Sequence, residues 1–219
     1  LLTCNDPYTD GKDTSGNLTL TSNGNIESRA FSPYRHATYS GNAHGGSVFM
    51  DGSDSLTIAS SSNLQFGTGN FTIEVWAYHT SFSNTPYLFD MRDDGTDVGT
   101  TNRIVLYMDS SGNIKLFINA DRISHAVKIH TWNHYAVVKN SGTTTLYVNG
   151  VSVGTYSDSV NYSGAPITIG MRQGSSSQGW NGYLSDFRLV NGAAVYTGAF
   201  TPPSAPLTKT GGTYPSTTN

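Results

Sequence analysis

Side chains that could carry out acid–base chemistry are scarce in this sequence. It contains two glutamates, Glu27 and Glu74, far apart along the chain, and Glu74 lies in the segment Thr-Ile-Glu-Val-Trp. A retaining glycosidase needs two carboxyl groups about 5–5.5 Å apart, and these glutamates are too distant in sequence to share one strand. No His-Glu-x-x-His metalloprotease motif is present. We therefore predict that the chain is not an enzyme.

A cluster of acidic residues follows the apolar segment 87–89. Its members are Asp90, Asp93, Asp94 and Asp97. Carboxylate oxygens are the ligands that Ca²⁺ prefers, although the spacing is not that of an EF-hand. Two interpretations stay open: a Ca²⁺ site, or an Asp-Gly turn with solvated charges in which Arg92 or Arg103 pairs with an aspartate.

Aromatic and polar residues near the end of the chain suggest a surface for carbohydrate, because aromatic rings stack on the apolar faces of sugars. The candidate carbohydrate-binding residues are Arg172, Gln173, Gln178, Trp180 and Tyr162. The three polar residues belong to a Gly/Ser/Gln loop over 170–179, which is typical of an exposed connection. Trp180 opens a predicted strand, so packing inside the protein is the other interpretation of its role.

Three further aromatic residues are either candidates for sugar stacking or parts of the core. Tyr34 lies in a loop and is a candidate for stacking on sugar. Trp76 and Trp132 lie in predicted strands, and a large aromatic side chain is seldom left exposed. We expect both tryptophans to pack between layers of the protein.

Histidines and one aspartate complete the set of titratable candidates. His125, His130 and His134 are spaced by five and four residues, with no acidic ligand near in sequence, so we interpret them as structural. Asp186 lies among apolar neighbours in a predicted strand. If it is buried, it needs a hydrogen-bond donor or a cation such as Arg188.

The segment 132–155 organises the elements that must position these residues. It consists of three apolar-alternating runs joined by Asn140-Ser141-Gly142 and by Asn149-Gly150. Asn-Gly between such runs is a strong signal for a two-residue hairpin, since a type I′ turn needs positive φ at both central residues. Three strands cannot bury their apolar faces alone, so the remaining strands must supply a second layer.

Other strands are predicted from alternation at 47–50, 55–58, 71–78, 87–89, 104–108, 114–118, 167–169 and 183–189. In the clearest of them, the odd-numbered residues from Phe71 to Ala77 should face the core. The even-numbered residues from Thr72 to Tyr78 should share the opposite face. Prolines after Phe200 exclude a central strand there. Two antiparallel sheets of about five to seven strands each are expected, with no helix longer than about two turns.

Composition narrows the class of protein. Charged residues make up 12% of 219 residues, and 24 Gly and 13 Tyr favour turns and strands over helices. A net charge of −3 without a basic cluster argues against nucleic acid or an anionic membrane as partner. Cys4 is the only cysteine, so no internal disulfide is possible, and no run is long enough to span a bilayer. The chain begins without Met, and we expect it to be a segment of a longer polypeptide.

Three segments together resemble the laminin-G-like modules of the concanavalin A-like lectin and glucanase superfamily. They read FGTGNFTIEVWAY, WNHYAVVKNSGTTTLYVNGVSVGTY and WNGYLSDFRLVNGAAVYTGAFTPPSAPL. The opening LLTCN and the close YTGAFTPPSAPL are similar to versions found in bacteriophage and marine viral structural proteins. The resemblance implies an all-β, antiparallel two-sheet jelly-roll sandwich that often binds glycans, sometimes with Ca²⁺. The family's glucanases carry Glu-x-Asp-x-x-Glu on one strand, and Glu74 has neither an Asp two residues on nor a Glu five residues on.

These observations lead to the following expectations. Residues 1–207 form one lectin-like domain, and 208–219 form a polar tail or linker. The module is non-catalytic and binds host surface carbohydrate as part of a virion or tail-fibre assembly, at the virion surface or outside the cell. It associates as a homo-oligomer or with neighbouring modules through residues 1–5 or 199–207. The alternatives are a structural or decoration module without sugar binding, and a domain appended to a secreted bacterial enzyme.

Overall fold

Two antiparallel β-sheets form the described part of the chain, which comprises residues 1–8, 11–92 and 102–207 of the computed structural model. In chain order the strands are β1 Leu2–Thr3, β2 Thr21–Asn23, β3 Glu27–Arg29, β4 Ser47–Asp51, β5 Ser55–Ile58, β6 Phe71–His79, β7 Tyr87–Met91, β8 Ile104–Met108, β9 Asn113–Ile118, β10 Asp121–Ala126, β11 Trp132–Asn140, β12 Thr143–Val148, β13 Val151–Ser157, β14 Ile167–Ile169 and β15 Asn181–Asn191. The described residues also form one short helix, α1 Gly41–His44, and one 3₁₀ turn, Ser62–Leu64.

The strands divide between an eight-stranded and a seven-stranded sheet. The first has the order β13-β12-β11-β6-β15-β4-β3, with β1 also paired to β15. The second has the order β10-β9-β8-β7-β14-β5-β2. Hairpins of consecutive strands alternate with pairs that are distant in sequence, such as β6–β15, β15–β4 and β7–β14, and the predicted two-sheet sandwich is confirmed. The larger sheet has one strand more than the expected five to seven.

Strict alternation in β6 decides which residues enter the core. Phe71, Ile73, Val75 and Ala77 are each at most 1% exposed and join the apolar cluster between the sheets. Alternate side chains of a strand point to opposite faces, so the even-numbered residues from Thr72 to Tyr78 lie on the outer face. The predicted assignment of the two faces is confirmed.

Two tight turns close the β11–β12–β13 meander as predicted. Asn149 and Gly150 have φ of 51° and 81°, the positive values that a type I′ turn requires. Ser141 and Gly142 have φ of 48° and 79° in the first turn. Both turns form because Asn, Ser and Gly tolerate this backbone region better than bulky residues do.

The outer face of the eight-stranded sheet is covered by two segments of the chain itself. One is the C-terminal arm, residues 193–207, whose Tyr196 and Phe200 stack with centroids 3.6 Å apart against Ala136, Val138 and Tyr147. The other is the covering loop, residues 30–39, whose Phe31 and Tyr34 pack on Trp132 and Trp76 in the other half of this face. These contacts leave the seven-stranded sheet with the more open outer surface among the described residues.

Both termini of the described domain are engaged within it. Leu2 and Thr3 pair with Arg188 and Phe187 of β15. The Leu207 amide donates a hydrogen bond to Asp186 Oδ1 at 2.9 Å. The segments expected to contact a neighbouring copy therefore already have partners in the same chain, and association with other copies remains a prediction.

Candidate functional site

One row of side chains crosses the outer face of the seven-stranded sheet from edge to edge. Its members are paired residue by residue across adjacent strands: Thr21, Thr57, Thr168, Asp90, Val105, Phe117 and Asp121. Directly paired residues of antiparallel strands point to the same face. This cross-strand row therefore lies on the outer face of the sheet from β2 to β10, and Asp90 and Val105 are buried near its centre.

An aromatic groove of about 540 Å³ lies on the β7–β10 half of this surface. Its floor is Val105, and its walls are the rings of Tyr87, Tyr107 and Phe117. Tyr87 and Tyr107 are opposite each other in β7 and β8, and their rings stack with centroids 5.2 Å apart and planes 20° apart. All three rings are half-buried, so each has packing support and an accessible face.

Polar groups stand at the rim of the aromatic groove. The Tyr107 hydroxyl donates to Asp121 Oδ1 at 2.8 Å, and Lys115 Nζ lies 3.3 Å from Asp121 Oδ2. The Arg103 guanidinium carbon lies 4.9 Å from the centre of the Phe117 ring, within range of a cation–π interaction. Burial, followed by Asp121, raises the pKa of Tyr107, which therefore stays a hydrogen-bond donor at neutral pH. The groove combines flat apolar surface with donors and acceptors.

A second groove of about 340 Å³ lies on the β14–β5–β2 half of the same face. It is lined by the row residues Thr21, Thr57 and Thr168, with Arg172 and Gln173 above them. We call it the threonine groove. Its hydroxyl, amide and guanidinium groups offer both donors and acceptors to a polar ligand.

The structure brings together the three polar residues predicted for the 170–179 loop. Arg172 Nη1 donates to Gln178 Oε1 at 2.5 Å, and the Gln173 amide donates to Asp90 Oδ2 at 2.9 Å. The Tyr87 amide donates to the Gln178 carbonyl oxygen at 3.3 Å. The loop thus lies against β7, beside both grooves.

Trp180 and Tyr162 are corrections to the predicted site, since both are fully buried. Trp180 stacks on the His79 ring with centroids 4.0 Å apart. The Tyr162 hydroxyl donates to Asp158 Oδ2 at 2.9 Å, and Lys139 Nζ lies 5.0 Å from its ring centre. Burial leaves neither ring with a face on which a sugar could stack.

Asp90 does not fit the predicted calcium site. Its carboxylate and the Arg92 guanidinium are both fully buried and form an ion pair, and its Oδ2 also accepts the Gln173 amide. Arg92 is the partner that the turn interpretation expected. Asp93, Asp94 and Asp97 lie outside the described residues. Within residues 1–8, 11–92 and 102–207, no three acidic, histidine or cysteine side chains group as metal ligands.

Trp76, Trp132 and Tyr34 lie on the outer face of the eight-stranded sheet rather than between the sheets, which corrects the expectation for the two tryptophans. Phe31 of the covering loop packs on Trp132 with centroids 5.2 Å apart. Tyr34 packs edge-on against Trp76 at 6.4 Å, and its hydroxyl donates to Asp186. The covering loop therefore buries aromatic surface that strand alternation alone would leave exposed.

Glu74 is the centre of a buried network on this covered face. Its carboxylate accepts hydrogen bonds from Arg188 Nε at 2.7 Å and from the Tyr196 hydroxyl at 2.7 Å, with His134 Nε2 at 3.1 Å. Burial alone would raise the pKa of Glu74, but hydrogen bonding by His134 and the charge of Arg188 hold it below its ordinary value. A general acid needs a raised pKa, so this carboxylate is suited to a structural role.

The other glutamate of the chain, Glu27, forms an ion pair with Arg29.

The remaining titratable candidates have distinct positions. His134 is buried beside Glu74, as expected of a structural histidine, while His125 and His130 are exposed. Asp186 is buried and accepts from the Tyr34 hydroxyl at 2.5 Å, the Ser185 hydroxyl at 3.0 Å and the Leu207 amide. Its donors are therefore hydroxyl and amide groups, whereas Arg188 pairs with Glu74.

One short motif in β13 has the spacing of a hydrolase nucleophile. Gly150 to Gly154 read Gly-Val-Ser-Val-Gly, but Ser152 lies within a strand that pairs antiparallel to β12. A nucleophile elbow needs a sharp turn from a strand into a helix. The motif is therefore part of a hairpin.

Sequence reasoning missed the aromatic groove. Alternation in β8 and β9 places Val105, Tyr107, Lys115 and Phe117 on one face, and that signal could have identified them. Tyr87 lies beside these four residues only because β7 pairs with β8, and residues 92–103 separate the two strands in the sequence. No local pattern specifies that pairing.

No helix among the described residues is long and apolar enough to cross a membrane. A jelly roll with one covered face and one open, aromatic-lined face has the architecture of a lectin-like module. The family model described as the concanavalin A-like lectin/glucanases superfamily matches residues 50–196, more than half of the chain. The chain belongs to this superfamily.

Solved structures with similar folds are distant in sequence. The binding domain of botulinum neurotoxin serotype G is 14% identical with a TM-score of 0.59, and the match covers 89% of this chain and 47% of that one. Domain 4 of AbnA, an extracellular arabinanase from Geobacillus stearothermophilus solved with arabinotriose, is 14% identical with a TM-score of 0.55, covering 88% and 93%. The binding domain of botulinum neurotoxin DC, solved with rat synaptotagmin II, is 16% identical with a TM-score of 0.60, covering 86% and 47%. The chain spans about half the length of the toxin domains, and no curated protein matches it.

Proposed function

We propose that this chain is a non-catalytic glycan-binding module whose binding surface is the outer face of the seven-stranded sheet. The observation that carries the proposal is the aromatic groove, where Tyr87, Tyr107 and Phe117 present ring surface beside charged and amide groups. Sugars have apolar C–H faces and polar hydroxyl edges. A groove with stacking surface below and hydrogen-bonding groups at its rim matches both features.

The groove is suited to binding rather than to hydrolysis. Asp121 is the one carboxylate among its described lining residues, and it is held by Tyr107 and Lys115. Glycoside hydrolysis needs a second carboxyl group across the scissile bond. The domain of similar fold from an arabinanase, solved with arabinotriose, is in keeping with a sugar-binding role.

The larger assembly is proposed from the resemblance of the terminal segments to phage modules. On that basis the module belongs to a virion or tail fibre, outside the cell, and its partner is host surface carbohydrate. Fibre modules encoded on either side of this segment would support this placement. An adjoining hydrolase domain would instead favour a module attached to a secreted enzyme.

The test is a glycan array probed with the whole chain displayed on multivalent beads, followed by calorimetry on the strongest glycan. Phe117→Ala should weaken binding by about 30-fold, the typical effect of losing an aromatic hot spot worth about 2 kcal/mol. Phe31→Ala is the matched control, because Phe31 is a partly exposed aromatic residue of the covering loop, which lies over the opposite sheet. It should leave the affinity unchanged.

Two outcomes would contradict the proposal. Absence of any array signal at high avidity would favour the structural or decoration module. Equal affinity of the parent and Phe117→Ala would place the sugar elsewhere on the molecule. Circular dichroism of each variant shows that a loss of binding is not a loss of fold.

A further inference from the structure

The covering loop is attached to the eight-stranded sheet through side chains. Its Phe31 ring lies among three rings of the outer face, with centroids 5.1 Å from Tyr78, 5.2 Å from Trp132 and 4.8 Å from Tyr183. Within the described part of the chain, no backbone hydrogen bond joins residues 31–39 to a strand. Segments held mainly by side-chain contacts open at a lower free energy than paired strands do. The loop can therefore move while both sheets stay paired.

Two indole groups lie beneath this loop without the hydrogen bonds that they need. Phe31 packs on Trp132 and Tyr34 packs on Trp76. The Nε1 atoms of both tryptophans are buried, and neither has a hydrogen-bond partner among the described residues. A buried donor without an acceptor costs free energy. Movement of the loop would bring water to both rings, so the closed position carries a cost that opening removes.

One hydrogen bond opposes this movement. The Tyr34 hydroxyl donates to Asp186 Oδ2 at 2.5 Å, and both residues are buried. In residues 1–8, 11–92 and 102–207 it is the one side-chain hydrogen bond between the covering loop and a strand. The same carboxyl group accepts the Ser185 hydroxyl and the Leu207 amide. The covering loop, β15 and the C-terminal arm therefore meet at Asp186.

From these contacts we propose that the covering loop is a lid, latched by Tyr34 on Asp186. The lid opens without unfolding of the sandwich and uncovers the rings of Trp76 and Trp132. It is held more tightly in acid than at neutral pH. The lid lies over the sheet opposite the aromatic groove, so it is independent of the proposed function.

The direction of the pH dependence follows from the surroundings of Asp186. Burial raises the pKa of Asp186 to about 6 from an ordinary value of 3.8. Opening of the loop gives this carboxyl group access to water, which returns its pKa toward the ordinary value. Between these values the closed lid binds a proton that the open lid releases. Closure is therefore favoured below pH 6, and this advantage is lost as the pH rises through 6.

The titratable groups that face Asp186 keep their protonation states in this range. Burial raises the pKa of the Tyr34 hydroxyl and of the Cys4 thiol, so both stay neutral. Hydrogen bonding by His134 and the charge of Arg188 hold the pKa of Glu74 below its ordinary value, so Glu74 stays ionised. Asp186 is therefore the group of this cluster whose charge changes as the lid responds to acid.

Hydrogen exchange of the three indole N–H groups, followed by NMR on the whole chain, tests the lid. Trp180 is fully buried in the apolar cluster between the sheets, so its N–H meets water only when the sandwich opens and serves as the internal reference. Trp76 and Trp132 should exchange faster than Trp180 at pH 7. After correction for the intrinsic effect of pH on exchange, their protection should rise by about tenfold from pH 7 to pH 5, as the change in the pKa of Asp186 requires.

Two substitutions make the test specific to the latch. Asp186→Asn has no titrating group and should remove the rise in protection between pH 7 and pH 5. Tyr34→Phe loses the hydrogen bond to the carboxylate and should reduce the protection of Trp76 and Trp132 several-fold at pH 7. Tyr156→Phe, at a half-buried tyrosine of β13, is the matched control and should behave like the parent.

Equal protection of all three indole groups would show that the loop opens only with the whole sandwich, and would overturn the lid. Protection of Trp76 and Trp132 that stays constant or falls in acid would overturn the latch. A fall would point instead to His36 of the loop, whose ring lies 4.5 Å from that of His44, since two protonated histidines repel each other. Under the proposal, His36→Gln leaves the rise in protection unchanged.

Discussion

His79 is a titratable residue that the fold holds in its neutral form. Its ring is 2% exposed and stacks on Trp180, and burial lowers its pKa to about 4. An ordinary histidine in the unfolded chain titrates near pH 6.5. Between these values the unfolded state binds a proton that the folded state does not, so the free energy of unfolding decreases as the pH falls through this window.

We expect His79→Leu to remove this pH dependence. Between pH 7 and pH 5 the parent should lose about 2 kcal/mol of stability relative to the variant. Urea denaturation at both pH values measures the difference. His125→Gln, at an exposed position, should keep the dependence of the parent, and an unchanged pH slope in His79→Leu would contradict the assignment.

Asp186 should change the free energy of unfolding with pH in the direction opposite to that of His79. Burial raises its pKa to about 6, so the folded state binds a proton that the unfolded state releases between pH 6 and pH 3.8. The associated stability is present at low pH and is lost as the pH rises through 6. Asp186 has φ of 51° within β15, a backbone region that asparagine also tolerates.

Asp186→Asn is therefore the informative substitution at this position. From pH 7 to pH 5 the parent should gain about 1 kcal/mol relative to the variant, because only the parent takes up the proton. Urea denaturation of both proteins at pH 7 and pH 5 measures this difference in stability. A difference between the two proteins that does not vary with pH would show that the Asp186 carboxyl titrates normally.

At the scale of elements, the β12–β13 turn also supports the C-terminal arm. Gly150 has positive φ, its carbonyl oxygen accepts the Phe200 amide at 3.0 Å, and a Cβ here would overlap the Phe200 carbonyl oxygen. Gly142 has φ of 79° with open space around its would-be Cβ. The two glycines share a backbone conformation and differ in their surroundings.

Alanine at each glycine separates backbone strain from the contact with the arm. Gly142→Ala should cost about 1–2 kcal/mol from the left-handed backbone alone, whereas Gly150→Ala should cost clearly more because the arm must also move. Thermal unfolding of both variants measures the difference. Equal destabilisation would mean that the arm adapts without cost.

Local signals account for the elements that the sequence predicted well. Alternation in β6 and the Asn149-Gly150 turn are contained within short windows, so strand faces and the meander could be identified. The short strands β1, β2 and β3 depend on pairing with distant strands and were missed. The cross-strand row depends on register across seven strands, and the burial of Trp180 depends on His79 from another strand. Neither the row nor the burial of Trp180 can be identified from a short segment of the sequence.

At the scale of the whole molecule, calcium binding stays a prediction that rests on Asp93, Asp94 and Asp97. If these aspartates bind Ca²⁺, millimolar Ca²⁺ should raise the melting temperature, because a ligand of the folded state stabilises it by mass action. The double substitution Asp93→Asn, Asp94→Asn should abolish the rise, and Asp121→Asn should preserve it. No shift with Ca²⁺ or EDTA in the parent would favour the solvated turn.

The attachment of both terminal segments to β15 near its register shift between Ser185 and Arg188 has a mechanical consequence for a module held at both ends. The Asp186 amide donates to the Cys4 carbonyl oxygen, and the Asp186 carboxylate accepts the Leu207 amide. Asn5 Nδ2 lies 3.5 Å from the Leu207 carbonyl oxygen. Leu1, Leu2 and Thr3 are also bonded to residues 187–189, so tension applied through the two terminal segments enters and leaves within residues 186–189 of β15. We expect β1 or the C-terminal arm to detach from β15 first under such a load, while the outer face of the seven-stranded sheet keeps its shape.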